Sequence, residues 1–332
     1  MKTLPCALPP LAGETPAGYL GRLASCNLIP LQWLLRHITR AYRVESLPPT
    51  DPRYVSAVEN LGGLTVGHFD RERDRFRLVW PCHHAAWRPT RCRRCDVSDY
   101  PRRACFVCSE GIPTEVISRG GMFCVRHNWW HGEKEDTHVR PSLPYRRAER
   151  LLSGVLWRRG VTLHTGEFAL ACELIRTSHQ RTLADPVPGL RFIYPAAVEL
   201  VFTLTDSVVS SSLITHRVPW EMQVEGLIGL AVGAGSGAGE RTTALESCAS
   251  RVITGHREAL AGVRSMPSTP GARHRKAPFG KALLEAAHRH DGVLLRHVSE
   301  VRVSADIDPL LAKAPPRSRV VAKRLRPRAV PT

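Results

Sequence analysis

The chain has 332 residues, 43% of them hydrophobic, which is enough for two or three domains with real cores and excludes a disordered polyelectrolyte. Lys and Arg number 47 against 30 Asp and Glu, a net charge of +17 that points to polyanionic partners. Arg supplies 41 of the 47, no apolar run reaches the roughly 18 residues of a membrane span, and the first sixteen residues hold four prolines with no apolar stretch after them, so a cytoplasmic rather than a secreted protein is expected.

In chain order, Thr15 and Pro16 predict the start of a short helix to about Ser25. A second follows Pro30 with Trp33, Leu34, Leu35 and Ile38. A third covers Tyr54–Leu61, capped by Asp51 and closed by Gly62-Gly63, and a fourth covers Val66–Arg71 with Thr65 as its cap. Such a cluster fits a helix-turn-helix-like domain over 1–75. Helical periodicity then disappears to about Trp130 and returns over Tyr145–Arg159, Thr165–Arg181 and Pro195–Thr205. Gly229–Gly239 reads as a flexible linker, since Glu240-Arg241 stands where a phosphate loop needs Lys-Ser or Lys-Thr. Helices are expected over Thr242–Leu260 and Lys281–His297. Lys313–Thr332 holds seven basic residues and no acid, as a disordered, phosphate-neutralising tail does. The expected architecture is mainly α and multi-domain: 1–75 helical, 76–135 zinc-binding, 136–232 helical, 233–312 linker with accessory helices, and 313–332 tail.

Residues 82–127 carry the chemistry. Cys92/Cys95 and Cys105/Cys108 are Cys-x2-Cys knuckles, and Cys124/His127 is a Cys-x2-His knuckle. Two intervening residues let both ligands of a knuckle reach one ion, so zinc is the expected cofactor. Cys105, Cys108, Cys124 and His127 form one complete set. Cys82, His84 (or His83), Cys92 and Cys95 form a second, giving two ions. An alternative joins Cys92 and Cys95 to Cys124 and His127, and spacing leaves both pairings open. Four protein ligands close the coordination sphere, so the sites read as structural, and no hydrolase or deaminase signature is present. No catalytic residue is assigned. Trp80, Trp87, Trp129 and Trp130 read as local core. Cys6, Cys26, Cys172 and Cys248 read as isolated, buried thiols. Candidate DNA contacts are Arg71 and Arg73 in the 51–72 helix pair and its end, Arg91, Arg93, Arg94, Arg102, Arg103 and Arg126 around the knuckles, and Arg324 and Arg326 in the tail.

Leu8-Pro9-Pro10 with Glu14, then Tyr19-Leu20-Gly21-Arg22-Leu23-Ala24 and Asn27, resembles the opening of TniQ-family proteins. The Cys105/Cys108 and Cys124/His127 knuckles follow where that family carries its own. Phe192-Ile193-Tyr194-Pro195 resembles the later helical region of actinobacterial members. The resemblance covers about residues 5–215. It departs at Arg93 and Phe106, where the family's first knuckle usually has proline, and at the shortened Cys82/His84 element. It implies a non-catalytic DNA-transposition adaptor that links target DNA or a targeting complex to a transposase and its AAA+ ATPase, in a family that often dimerises. A standalone zinc-containing DNA-binding regulator, or a protein–protein scaffold, is the alternative.

Overall fold

The structure is a computed structural model. It describes residues 2–71, 102–131, 136–140, 142–180, 189–214, 218–234, 240–265 and 293–297. These are mainly helical and fall into two compact units: residues up to 71 with 102–162, and residues from Leu163 onward.

The first unit opens with an extended segment and three helices, α1 (Pro16–Cys26), α2 (Leu31–Ala41) and α3 (Pro52–Gly62). Their boundaries follow local chemistry. Thr15 Oγ1 accepts from Gly18 N at 3.0 Å, and Asp51 Oδ1 accepts from Arg53 N at 2.8 Å. Gly63 closes α3 at φ 66°, a left-handed conformation that glycine adopts without steric cost. Tyr19, Leu20, Leu23, Leu34, Ile38, Val58 and Leu61 form the core.

The expected fourth helix starts later than Val66: its first described turn is 68–71. Thr65 does not cap it. The buried Glu59 carboxylate of α3 accepts from Gly67 N at 2.9 Å and Phe69 N at 3.1 Å, while the Thr65 hydroxyl accepts from Arg71. A second correction concerns Cys6 and Cys26. They are not isolated but form a disulfide, closing a loop with a sequence separation of 20. Asn27 fastens the same loop, accepting from Cys6 N and donating to Cys6 O, both at 2.9 Å.

Strands β1 (Arg102–Arg103) and β2 (Glu115–Val116) pair antiparallel, and β3 (Phe123–Cys124), β4 (Trp129–His131) and β5 (Asp136–His138) form a meander. Helix α4 (Leu143–Leu151) continues into a π-helical turn, Leu152–Leu156, where one uninterrupted α-helix was expected.

The helical opening and the strands fall in the same compact unit. Thr15 N donates to Glu115 O at 2.9 Å and Ile117 N donates to Gly13 O at 2.7 Å. Gly18 permits this approach, because a Cβ there would lie 2.8 Å from Glu115 N and 2.9 Å from Glu115 O.

The second unit contains α5 (Gly166–His179), α6 (Leu190–Leu204), α7 (Ser207–Ile214), α8 (Trp220–Ala234), α9 (Thr243–Ser265) and a 3-10 segment, Val293–His297. Leu174, Ile175, Ile193, Tyr194, Val198, Val201, Leu227 and Ile253 build its core. Two sequence expectations change here. Pro195 does not start a helix; it lies inside α6, which begins at Leu190 and buries Ile193 and Tyr194 ahead of it. Gly229 and Gly233 belong to α8, not to a linker, because Val224, Leu227, Ile228 and Ala231 give that helix a buried face. Thr242 Oγ1 caps α9, accepting from Leu245 N at 3.1 Å, and itself donates to Thr177 O at 3.1 Å. Residues 240–265 are therefore part of the helical body.

The short segment 293–297 is pinned by two buried histidines. His256 Nε2 accepts from Leu294 N at 3.1 Å, and His297 Nε2 lies 3.0 Å from Glu167 Oε1. Among the described residues no single helix is long and apolar enough to cross a membrane; α6 and α7 reach that length only together, across an 81° bend. Asp206 occupies the bend and caps α7, accepting from Val208 N at 2.9 Å.

Candidate metal centre

Two tight turns bring the ligands together. After β1, Ala104 N donates to Thr114 O, and Ser109 N donates to Cys105 O, both at 2.9 Å. This folds residues 105–111 back on themselves. Gly111 completes the turn at φ 82°, donating to Phe106 O at 2.8 Å. The second turn joins β3 to β4. Asn128 there adopts φ 56° and its N–H reaches Cys124 O at 2.8 Å. Asn tolerates this left-handed conformation better than most residues.

A helix braces the second turn. The buried Glu149 carboxylate of α4 accepts from Gly121 N at 2.6 Å and Phe123 N at 2.9 Å. Tyr145 packs between Phe123 and Trp130, with ring centroids 5.2 and 6.2 Å away. Trp130 is thus core, as expected, and Trp129 packs edge-on against His138.

Cys105, Cys108, Cys124 and His127 converge, with all four ligand atoms within 4.8 Å of one another. His127 Nδ1 lies 3.5 Å from Cys105 Sγ, 3.2 Å from Cys108 Sγ and 3.6 Å from Cys124 Sγ. Cys108 Sγ and Cys124 Sγ are 3.7 Å apart. A tetrahedral ion with metal–sulfur bonds of about 2.3 Å and a metal–nitrogen bond of about 2.0 Å has ligand–ligand edges of roughly 3.5–3.8 Å. The observed separations fit that polyhedron, and the cluster could hold one metal ion.

The electrostatics agree. Burial, then the charges of Cys124 and Cys105, push the Cys108 thiol up to about 12, and burial is also the main cause raising Cys105. Crowded thiolates of this kind need a cation to remain ionised.

Of the two pairings that spacing left open, the described residues show the convergence of Cys105 and Cys108 with Cys124 and His127. Cys82, His84, Cys92 and Cys95 lie outside the described residues, as do Trp80, Trp87, Arg73, Arg91, Arg93, Arg94, Arg324 and Arg326. Of the remaining arginines, Arg103 and Arg126 are exposed beside the knuckles. Arg102 is half-buried and donates to Ser118 Oγ at 2.6 Å, so it serves the module's own fold. Arg71 is exposed, but its guanidinium donates to Val66 O at 3.0 Å and Thr65 Oγ1 at 2.7 Å.

Sequence reasoning missed the bracing carboxylates. Glu14, buried, accepts from Arg22 Nη1 at 2.8 Å, Leu11 N at 2.9 Å and Thr114 Oγ1 at 2.7 Å. This carboxylate joins the opening of the chain to the strand pair that carries the first knuckle. Glu14 and Arg22 were visible as family-like residues, but nothing in their spacing signalled Thr114. The chain matches no family model, no curated protein and no solved structure.

Proposed function

We propose that the chain is a zinc-stabilised, DNA-associated adaptor of TniQ type. In this reading it links target DNA, or a targeting complex on DNA, to a transposase and its AAA+ ATPase, and does no strand chemistry itself. The observation that carries the reading is the closed set of Cys105, Cys108, Cys124 and His127, held through Thr114 and Glu14 to the helices of the TniQ-like opening. Three thiolates and one imidazole favour zinc, and four protein ligands leave no position for an activated water. The knuckles then act as a zinc-ribbon-like brace for a helix-turn-helix-like domain. Exposed Arg103 and Arg126 and the net charge of +17 suit phosphate contacts.

Elemental analysis of the full chain, combined with duplex-DNA titration at several salt concentrations, tests the proposal. Close to two zinc ions per chain and an affinity that falls steeply with salt are expected. A single ion would remove the Cys82, His84, Cys92, Cys95 set alone. A chain free of zinc, or one that fails to shift duplex DNA at low salt, would sink the reading.

A further inference from the structure

Helices α1 and α2 are joined by four residues, 27–30, with Leu28 at φ 55° in the turn. Of its eleven residues, α2 buries only Leu34 and Ile38. At 100° per residue, Gln32, Arg36 and Arg40 align at i, i+4 and i+8 on the opposite side, in a row about 12 Å long. All three are exposed, and so is Arg43, just beyond the helix. Trp33, 55% exposed, and His37 stack in parallel beside that row, 5.6 Å apart with an interplanar angle of 1°. From Leu31 to Arg43 there are three arginines, one histidine and no acid. Among the described residues no side chain engages the guanidinium of Arg36, Arg40 or Arg43. In the 51–72 region, by contrast, Arg53 is paired with Asp51 at 2.9 Å and Arg71 is tied to its own turn.

We infer that α2 is a recognition helix that lies in the major groove of duplex DNA, with Gln32, Arg36 and Arg40 facing the base edges and Arg43, Trp33 and His37 against the backbone. The inference rests on the DNA-binding reading above and names its surface. A helix joined to its predecessor by a short turn and exposing its outer face is the arrangement that places side chains in a groove about 12 Å wide. Gln and Arg present planar forks that match adenine and guanine edges. The exposed leucines, Leu31 and Leu35, sit at the margin beside the buried Leu34 and Ile38, whereas a helix built to dock on an apolar partner would carry them centrally.

The test uses the full, zinc-loaded chain and a labelled duplex of mixed sequence, read by fluorescence anisotropy. Zinc content and thermal melting serve as fold controls. R36A/R40A is expected to weaken binding by about tenfold or more, and R103A/R126A by less. Q32A is expected to change the preferred sequence recovered from a random duplex pool. Wild-type-like duplex affinity in R36A/R40A overturns the inference. So does a loss confined to R103A/R126A, although DNA binding itself would then stand. If the wild-type chain does not bind duplex DNA, the broader reading and this one fall together.

Discussion

Glu14 and Arg22 form an ion pair at 2.8 Å in which the two side chains are 0% and 2% exposed. Neither charge has water to turn to, so each depends on the other. Truncating one partner of such a pair costs about 3–5 kcal/mol. Glu14→Ala is therefore expected to destabilise the first unit by that order, measured by chemical denaturation. The double variant Glu14→Ala/Arg22→Met should recover part of the loss, since it removes the stranded guanidinium. Strict additivity of the two single changes would show that the pair is not coupled.

Gly18 offers a separate handle on the same junction. Its missing Cβ is what lets α1 approach the backbone of Glu115. Gly18→Ala gains helix propensity of about 1 kcal/mol, yet it forces α1 off β2 at an overpacking cost of roughly 1–3 kcal/mol. A net loss of melting temperature is expected, together with faster loss of a metal ion loaded at the cluster to a chelator. A variant more stable than wild type would show that the approach is dispensable.

A metal ion binding at the thiol cluster would release protons. With Cys108 pushed up to about 12 and Cys105 also raised, both hold protons at neutral pH without a metal. The sign follows directly. The metal-free fold favours the neutral thiols, a stability present below the unfolded thiol value of about 8.5 and lost as pH rises toward 12. The metal-bound fold needs thiolates, so its metal-dependent increment grows with pH. Zinc titration calorimetry in two buffers of different ionisation enthalpy should give different apparent heats. Identical heats would mean that no proton leaves.

Leu28 occupies the α1–α2 turn at φ 55° while 92% exposed. A left-handed leucine costs about 1–2 kcal/mol and buries almost nothing in return here. Leu28→Gly should raise stability by roughly 0.5–1 kcal/mol in thermal or denaturant unfolding, after allowing for the added freedom of the unfolded chain. A destabilised Leu28→Gly would reveal a packing role for this side chain.

Local chemistry was legible from residue order. Thr15-Pro16, Asp51-Pro52 and Gly63 mark helix ends because capping depends on atoms only two to four residues apart. The Cys105/Cys108 and Cys124/His127 knuckles were equally plain, since two-residue gaps are a property of the turn itself. Where the deciding contact lay elsewhere, the reading failed. Gly229 and Gly233 look like linker residues until the buried face of α8 outweighs their weak propensity. Pro195 looks like a helix start until α6 gains a buried turn ahead of it.

The order of residues alone thus settled that this is a mainly helical, arginine-rich chain with metal-ligand knuckles. Only the tertiary structure decided that the Cys105/Cys108 and Cys124/His127 knuckles converge, that Cys6 meets Cys26, and that Thr114 reaches Glu14 across 100 positions. The reason is physical. Caps and knuckles are closed by neighbours along the backbone, whereas a buried carboxylate or a four-ligand cluster is completed by whatever group packing brings within about 3–4 Å. It also decided that α2 presents an outward basic face while the arginines Arg53 and Arg71 are already engaged by their own turns.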